Sequence, residues 1–140
     1  MYLRGKQYIS YDNPVRQQFA KALGFEGLEV TQAIVELGYW RKSNQIHNWF
    51  VENVQSGNDD CGFYMVTKDN LNKLLDLCNQ VLNDHTKAAE LLPSKPGFFF
   101  GSTNYDSYYF DDLNQTVKIL ERALKLYENH MMEIFYNSSW

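Results

Sequence analysis

The sequence predicts a mainly α, α+β fold: about four helices around one long central helix, with a minor β-hairpin. Three observations predict it. Apolar residues recur at spacings of three and four through residues 30–55, 68–84 and 111–134, as in helices that bury one face. Cap-forming and helix-stopping residues bracket most of these stretches. Only short apolar runs are left over for strands. At 140 residues the chain is read as a single domain, residues 1–140, long enough to bury a substantial core.

Residues 2–11, with Tyr2, Leu3, Tyr8, Ile9 and Tyr11, suit a short strand or an extended arm. Asp12-Asn13-Pro14 then predicts a helix over 14–23, with Asn13 as N-cap and Pro14 in the first helical position. Gly24 supplies its left-handed stop. The central helix is expected over 30–55. Its apolar row Val30, Ala33, Leu37, Trp40 passes through the polar pair Asn44 and His47 and resumes at Val51 and Val54. A second row, Tyr39, Ile46 and Phe50, makes much of its circumference apolar, which also predicts a homo-oligomer that buries the spare face. Residues 55–60 carry turn chemistry.

Residues 63–66 read as a short strand or extended link. Thr67 caps the next helix, 68–84, whose Leu71, Leu74, Leu75, Cys78, Val81 and Leu82 follow the helical period closely. Pro93 and Pro96-Gly97 interrupt any helix over 85–97. The run 98–100 and the segment 105–110 predict the two strands of a hairpin around Gly101-Ser102-Thr103-Asn104. A last helix starts near Asp111-Asp112 and runs through Leu113, Leu120, Leu124 and Met131 to Ile134.

Charge and composition exclude several functions. The net charge is −4, with −1 on residues 1–62 and −3 on residues 63–140, and the two signs are interleaved. A nucleic-acid backbone needs a basic face, and none is encoded, so no nucleic-acid partner is expected. Seventeen scattered acids make no dense acidic stripe of the kind that imitates DNA. No run of 18 apolar residues exists to cross a membrane, and the first residues lack the apolar stretch of a signal peptide, so a cytoplasmic protein is expected. Cys61 and Cys78 cannot form a disulfide framework or a four-cysteine zinc site, and no cofactor motif is present.

The 22 aromatic rings are the unusual feature. They concentrate around Tyr39-Trp40 and Trp49-Phe50, and again over 98–110. In the first cluster Arg41 and Lys42 can meet an anion, Trp40 and Trp49 can wall a pocket, and Asn44 and His47 can read the polar edge of a base. The plainer reading makes Asn44 and His47 core groups satisfied within the chain, with Arg41 and Lys42 solvated. In the second cluster Gly101 and Ser102 can present backbone N–H groups to an anion, with Phe99 and Tyr105 beside it, although no Walker loop is formed. The alternative is a hairpin tip whose rings plug the core. Asp59-Asp60-Cys61 suits a turn better than a metal or thiol site, with Asp60 pairing Arg41 or Lys42. Asp106, Asp111 and Asp112 fit a general acid/base pair or, more simply, helix caps.

The segments Gly38–Phe50, Asp59-Asp60-Cys61 and Gly97–Ser102 together resemble a set of small accessory proteins encoded by phages and prophages. The resemblance covers about residues 38–113 and carries over no catalytic residues. It implies action on a host process such as immunity. The resulting expectation is a non-enzymatic binder that sequesters a nucleotide-like host signal. The alternatives are a protein inhibitor of a host immune effector and a small hydrolase using Asp106 or His47.

Overall fold

The computed structural model describes residues 1–97, 101–130 and 132–139, except for the side chain of His130. The protein is α+β, and its β component is larger than the expected hairpin. Strands β1 (Tyr2–Tyr8), β2 (Gln32–Tyr39), β3 (Tyr64–Met65) and β4 (Glu133–Asn137) form one antiparallel sheet in the order β2-β1-β4-β3. Helices α1 (Val15–Ala22), α2 (Asn44–Asn53), α3 (Lys68–Asn83), α4 (Ala88–Leu91) and α5 (Ser107–His130) complete it.

The long central helix is not formed. Residues 32–39 are strand β2, paired with β1 from Tyr8↔Gln32 to Tyr2↔Tyr39, and helix begins only at Asn44. The physical reason lies in a β-bulge. The register shifts between Leu3, opposite Gly38, and Arg4, opposite Glu36, so Leu37 is the extra residue and is buried. A bulge breaks the two-residue alternation of a strand, and the inward residues left behind mimic helical spacing. With β1 already beside it, a strand here satisfies both backbones.

The predicted strand at 105–110 is corrected as well. Ser107–Phe110 form the first turn of α5, where the Asp106 carboxylate accepts from the Tyr109 N–H at 3.2 Å. The other half of that hairpin, 98–100 with Phe99, lies outside the described residues. At the far end the helix does not reach Ile134, which instead sits in β4 opposite Gly5.

Other elements follow the local signals. Asn13 Oδ1 accepts from the Val15 N–H at 3.0 Å, although helix α1 starts after Pro14 rather than on it. Gly24, at φ +82°, ends α1 with the paired bonds Phe25 N–H to Ala20 O and Gly24 N–H to Lys21 O. Thr67 and Asn70 form a reciprocal capping box on α3. In the core, Leu3, Ile134 and Tyr136 of the sheet join Leu71, Leu74 and Cys78 of α3 and Leu113 and Leu120 of α5. Phe50 of α2 stacks on Tyr136 with ring centroids 4.0 Å apart. Burial pushes the Cys78 thiol up to about 12, so it is an inert apolar group.

Candidate functional site

The segment between β2 and α2 presents the cations. Trp40 anchors it: its N–H donates to Met1 O at 2.9 Å, and its indole Nε1 donates to Thr116 Oγ1 of α5 at 2.8 Å. With Trp40 almost wholly buried, Arg41 and Lys42 emerge into solvent. Lys42 adopts a left-handed backbone, φ 62°, and its carbonyl accepts from the Asn44 N–H at 2.9 Å. That conformation is strained for a residue with a Cβ, and such strain concentrates at ligand sites. Helix α2 begins immediately afterwards, and the side chain of its N-cap residue Ser43 makes no cap bond.

Asn44 holds the opposite wall in place. Its Oδ1 accepts from the Lys95 N–H at 2.9 Å, and its Nδ2 donates to Ser102 O at 3.0 Å. One buried amide thus ties residues 95 and 102 to the start of α2. Gly101 lies so close to Lys42 that an added Cβ would come within 3.3 Å of the Lys42 carbonyl.

Between these parts and the first turns of α5 lies a cavity of about 340 Å³. Arg41, Lys42, Gly101 and Ser102 line it, as do Gln45, Asn104, Asp106, Tyr108, Asp111, Asp112 and Gln115. Neither Arg41 nor Lys42 forms an ion pair among the described residues. Asp112 is half-buried, and burial pushes its carboxyl above the usual carboxylate range, with Asp111 and Asp106 adding to the effect. Opposing this are the buried Ser43 hydroxyl, which lies nearby without completing a hydrogen bond, and Gln45 Nε2 at 3.4 Å.

The cavity therefore unites Arg41, Lys42, Gly101 and Ser102, with Asn44 as the clamp beside them. Trp40, Trp49 and His47 lie in the interior instead. His47 is an internal link: its Nε2–H donates to Asp59 Oδ1 at 3.1 Å, and its Nδ1 accepts from the Tyr136 hydroxyl at 2.6 Å. Burial holds its pKa below the ordinary value and so favours the neutral imidazole, against the opposing pull of Asp59, and a neutral ring that donates from Nε2 leaves Nδ1 to accept. Tyr105 packs edge-on against Tyr109, and its hydroxyl accepts from the Ser94 N–H at 3.3 Å. Asp60 does not pair with Arg41 or Lys42; it accepts from the Gly62 N–H and the Tyr64 hydroxyl. Among the described residues no three His, Cys, Asp or Glu side chains converge as a metal centre.

No protein family, curated protein or solved structure matches this chain. The geometry itself is thus the basis for a functional reading. Sequence reasoning passed over Gln45, Tyr108 and Gln115 as site residues, took Asn104 only as part of the turn after Gly101, and weighed the aspartates only as acid/base groups or caps. The signal that points to them is positional: residues 108, 111, 112 and 115 recur at three and four along one face of α5.

His47 also sets a pH dependence. Its folded-state pKa is lowered, so below the ordinary imidazole value of about 6.5 the unfolded chain binds the proton more readily. Stability is full above that value and falls as pH drops toward the folded-state pKa. Thermal melts between pH 8 and 5 should show this decline, and His47→Gln should flatten it.

Proposed function

We propose that this chain is a non-enzymatic binding protein that holds a small anionic, ring-bearing ligand of the nucleotide class between α2 and α5. The observation that carries the reading is the lining of the cavity. Two solvent-facing cations, free of ion pairs among the described residues, share it with a carboxylate whose burial opposes its ionisation. Ionisable groups arranged at a cost to stability mark binding sites. Arg41 and Lys42 meet phosphate, Asp112 accepts from a base N–H, and the exposed ring of Tyr108 offers a stacking face. A volume of about 340 Å³ lies at the small end of ligand sites and suits one mononucleotide. In a phage-type accessory protein, such binding withdraws a signal from host immunity.

Titration calorimetry with nucleoside mono-, di- and triphosphates tests this. The Arg41→Ala/Lys42→Ala variant should bind more than about 100-fold more weakly, since two charge-assisted bonds at about 1.5–3 kcal/mol each total at least about 3 kcal/mol. Its melting temperature should stay near that of the wild type, because both side chains are exposed. Wild-type protein that binds none of these compounds would refute the reading.

Asp112→Asn separates site from scaffold. The folded state raises the Asp112 pKa, so the wild type is relatively most stable below the ordinary carboxyl range and loses that contribution as pH rises. The variant should therefore melt higher than wild type at pH 7 and converge with it in acid. Its affinity for ligands that donate to the carboxylate should fall.

A second reading, inhibition of a host immune effector by direct contact, is favoured by the exposed Phe19, Leu23, Phe25 and Leu28 on and after α1. Replacing Phe19 and Leu23 with serine would then abolish the inhibition while leaving nucleotide binding intact.

A further inference from the structure

We infer that the free edge of β2 pairs with β2 of a second copy, joining two four-stranded sheets into one antiparallel eight-stranded sheet. The sheet order leaves β2 and β3 at its margins, and β3 has only two residues against eight in β2. Side chains from α5 already cover the C-terminal end of the β2 edge. Arg122 Nη1 donates to Leu37 O at 3.3 Å, and Gln115 Nε2 donates to Tyr39 O at 2.8 Å.

Residues 32–36 have no such cover among the described residues, and Ile34 is 62% exposed. A strand edge left open is a template for another strand, and proteins usually block it with lysine, proline or extreme shortness. Gln32-Ala33-Ile34-Val35-Glu36 has no lysine or proline, and the features that blunt β2, the charge of Glu36 and the bulge at Leu37, fall at the C-terminal end of this stretch or beyond it.

The occupant is fixed by the strand's own pattern. Antiparallel self-pairing about Ile34 sets Ala33 opposite Val35 and Gln32 opposite Glu36. The single charge of this stretch then never faces its copy. The pairing is isologous, and the two-residue β3 cannot extend the sheet at the outer margins. Association therefore closes at two copies rather than growing into a fibre.

Light scattering coupled to size exclusion should give the mass of a dimer for the wild type. Ile34→Lys changes an exposed side chain and should give a monomer with an unchanged circular dichroism spectrum. In a Cys61→Ser background, Ile34→Cys should form a disulfide-linked dimer under mild oxidation. Tyr8→Cys, exposed on the interior strand β1, should not. A wild type that is monomeric at every concentration overturns the inference, as does a dimer that survives Ile34→Lys. None of these measurements needs a ligand, so the outcome is independent of the nucleotide reading.

Discussion

His47→Ala lowers stability by about 3 kcal/mol, read as a fall of roughly 10 °C in the melting temperature. Two effects add. The substitution removes a ring that is only 2% exposed, leaving a void between α2 and the sheet. It also strands the Tyr136 hydroxyl, which donates to His47 Nδ1 at 2.6 Å in a fully buried position. An unsatisfied buried hydroxyl costs about 1–3 kcal/mol, and the void supplies the rest. The two contributions are separable with Tyr136→Phe, which removes the hydroxyl and keeps the ring stacked on Phe50. The double variant should cost less than the sum of the single ones, because the orphaned group is already gone. Thermal melts of the four proteins give the cycle. A His47→Ala protein that melts like wild type but no longer binds nucleotide would return His47 to the ligand site.

Gly38→Val is the second large effect, a loss of about 3 kcal/mol from overpacking. Gly38 lies in β2 at the bulge, and a Cβ there would overlap the Ile119 side chain of α5, coming within 2.7 Å of its Cγ1. The obstruction is the branched stem of an isoleucine, which is stiff at χ1 and cannot swing aside as a lysine tip would. Backbone geometry is not the cause, since Gly38 is not among the positive-φ glycines. Ile119→Ala, which opens the space, tests the assignment. Gly38→Ala and Ile119→Ala should each destabilise, and together they should destabilise by less than their sum. Additive costs in chemical denaturation would show that the two positions do not compete for one volume.

Legibility from the sequence varied with the range of the interaction that decides each element. Helix α3 was readable almost to the residue, because Thr67 caps it locally and its apolar row lies on one side. The stop at Gly24 was readable for the same reason, as a left-handed glycine ends a helix wherever it sits. Strand β2 was not readable, since its partner β1 is about 30 residues away and the bulge at Leu37 hides its period. The start of α5 was misplaced because Tyr108-Tyr109-Phe110 look like a strand. The Asp106 cap turns them into a helix.

The site divides along the same line. Arg41 and Lys42 stood out as cations among clustered rings, and the chain alone was enough to nominate them together with Gly101 and Ser102. Which polar group serves the interior and which serves the cavity was a tertiary matter. His47 and Asn44 lie three residues apart on α2, yet one closes a link from Tyr136 to Asp59 while the other clamps Lys95 and Ser102. By itself the sequence determined the caps, the stops, the secure helix α3 and the candidate cations, because these depend on neighbours within a turn or two of chain. Only the tertiary structure decided the four-stranded sheet, the burial of Trp40 and the placing of Asp112 and Arg41 on one cavity. Each of these requires a partner distant in sequence, and backbone pairing and core packing outweigh local preference once that partner is present.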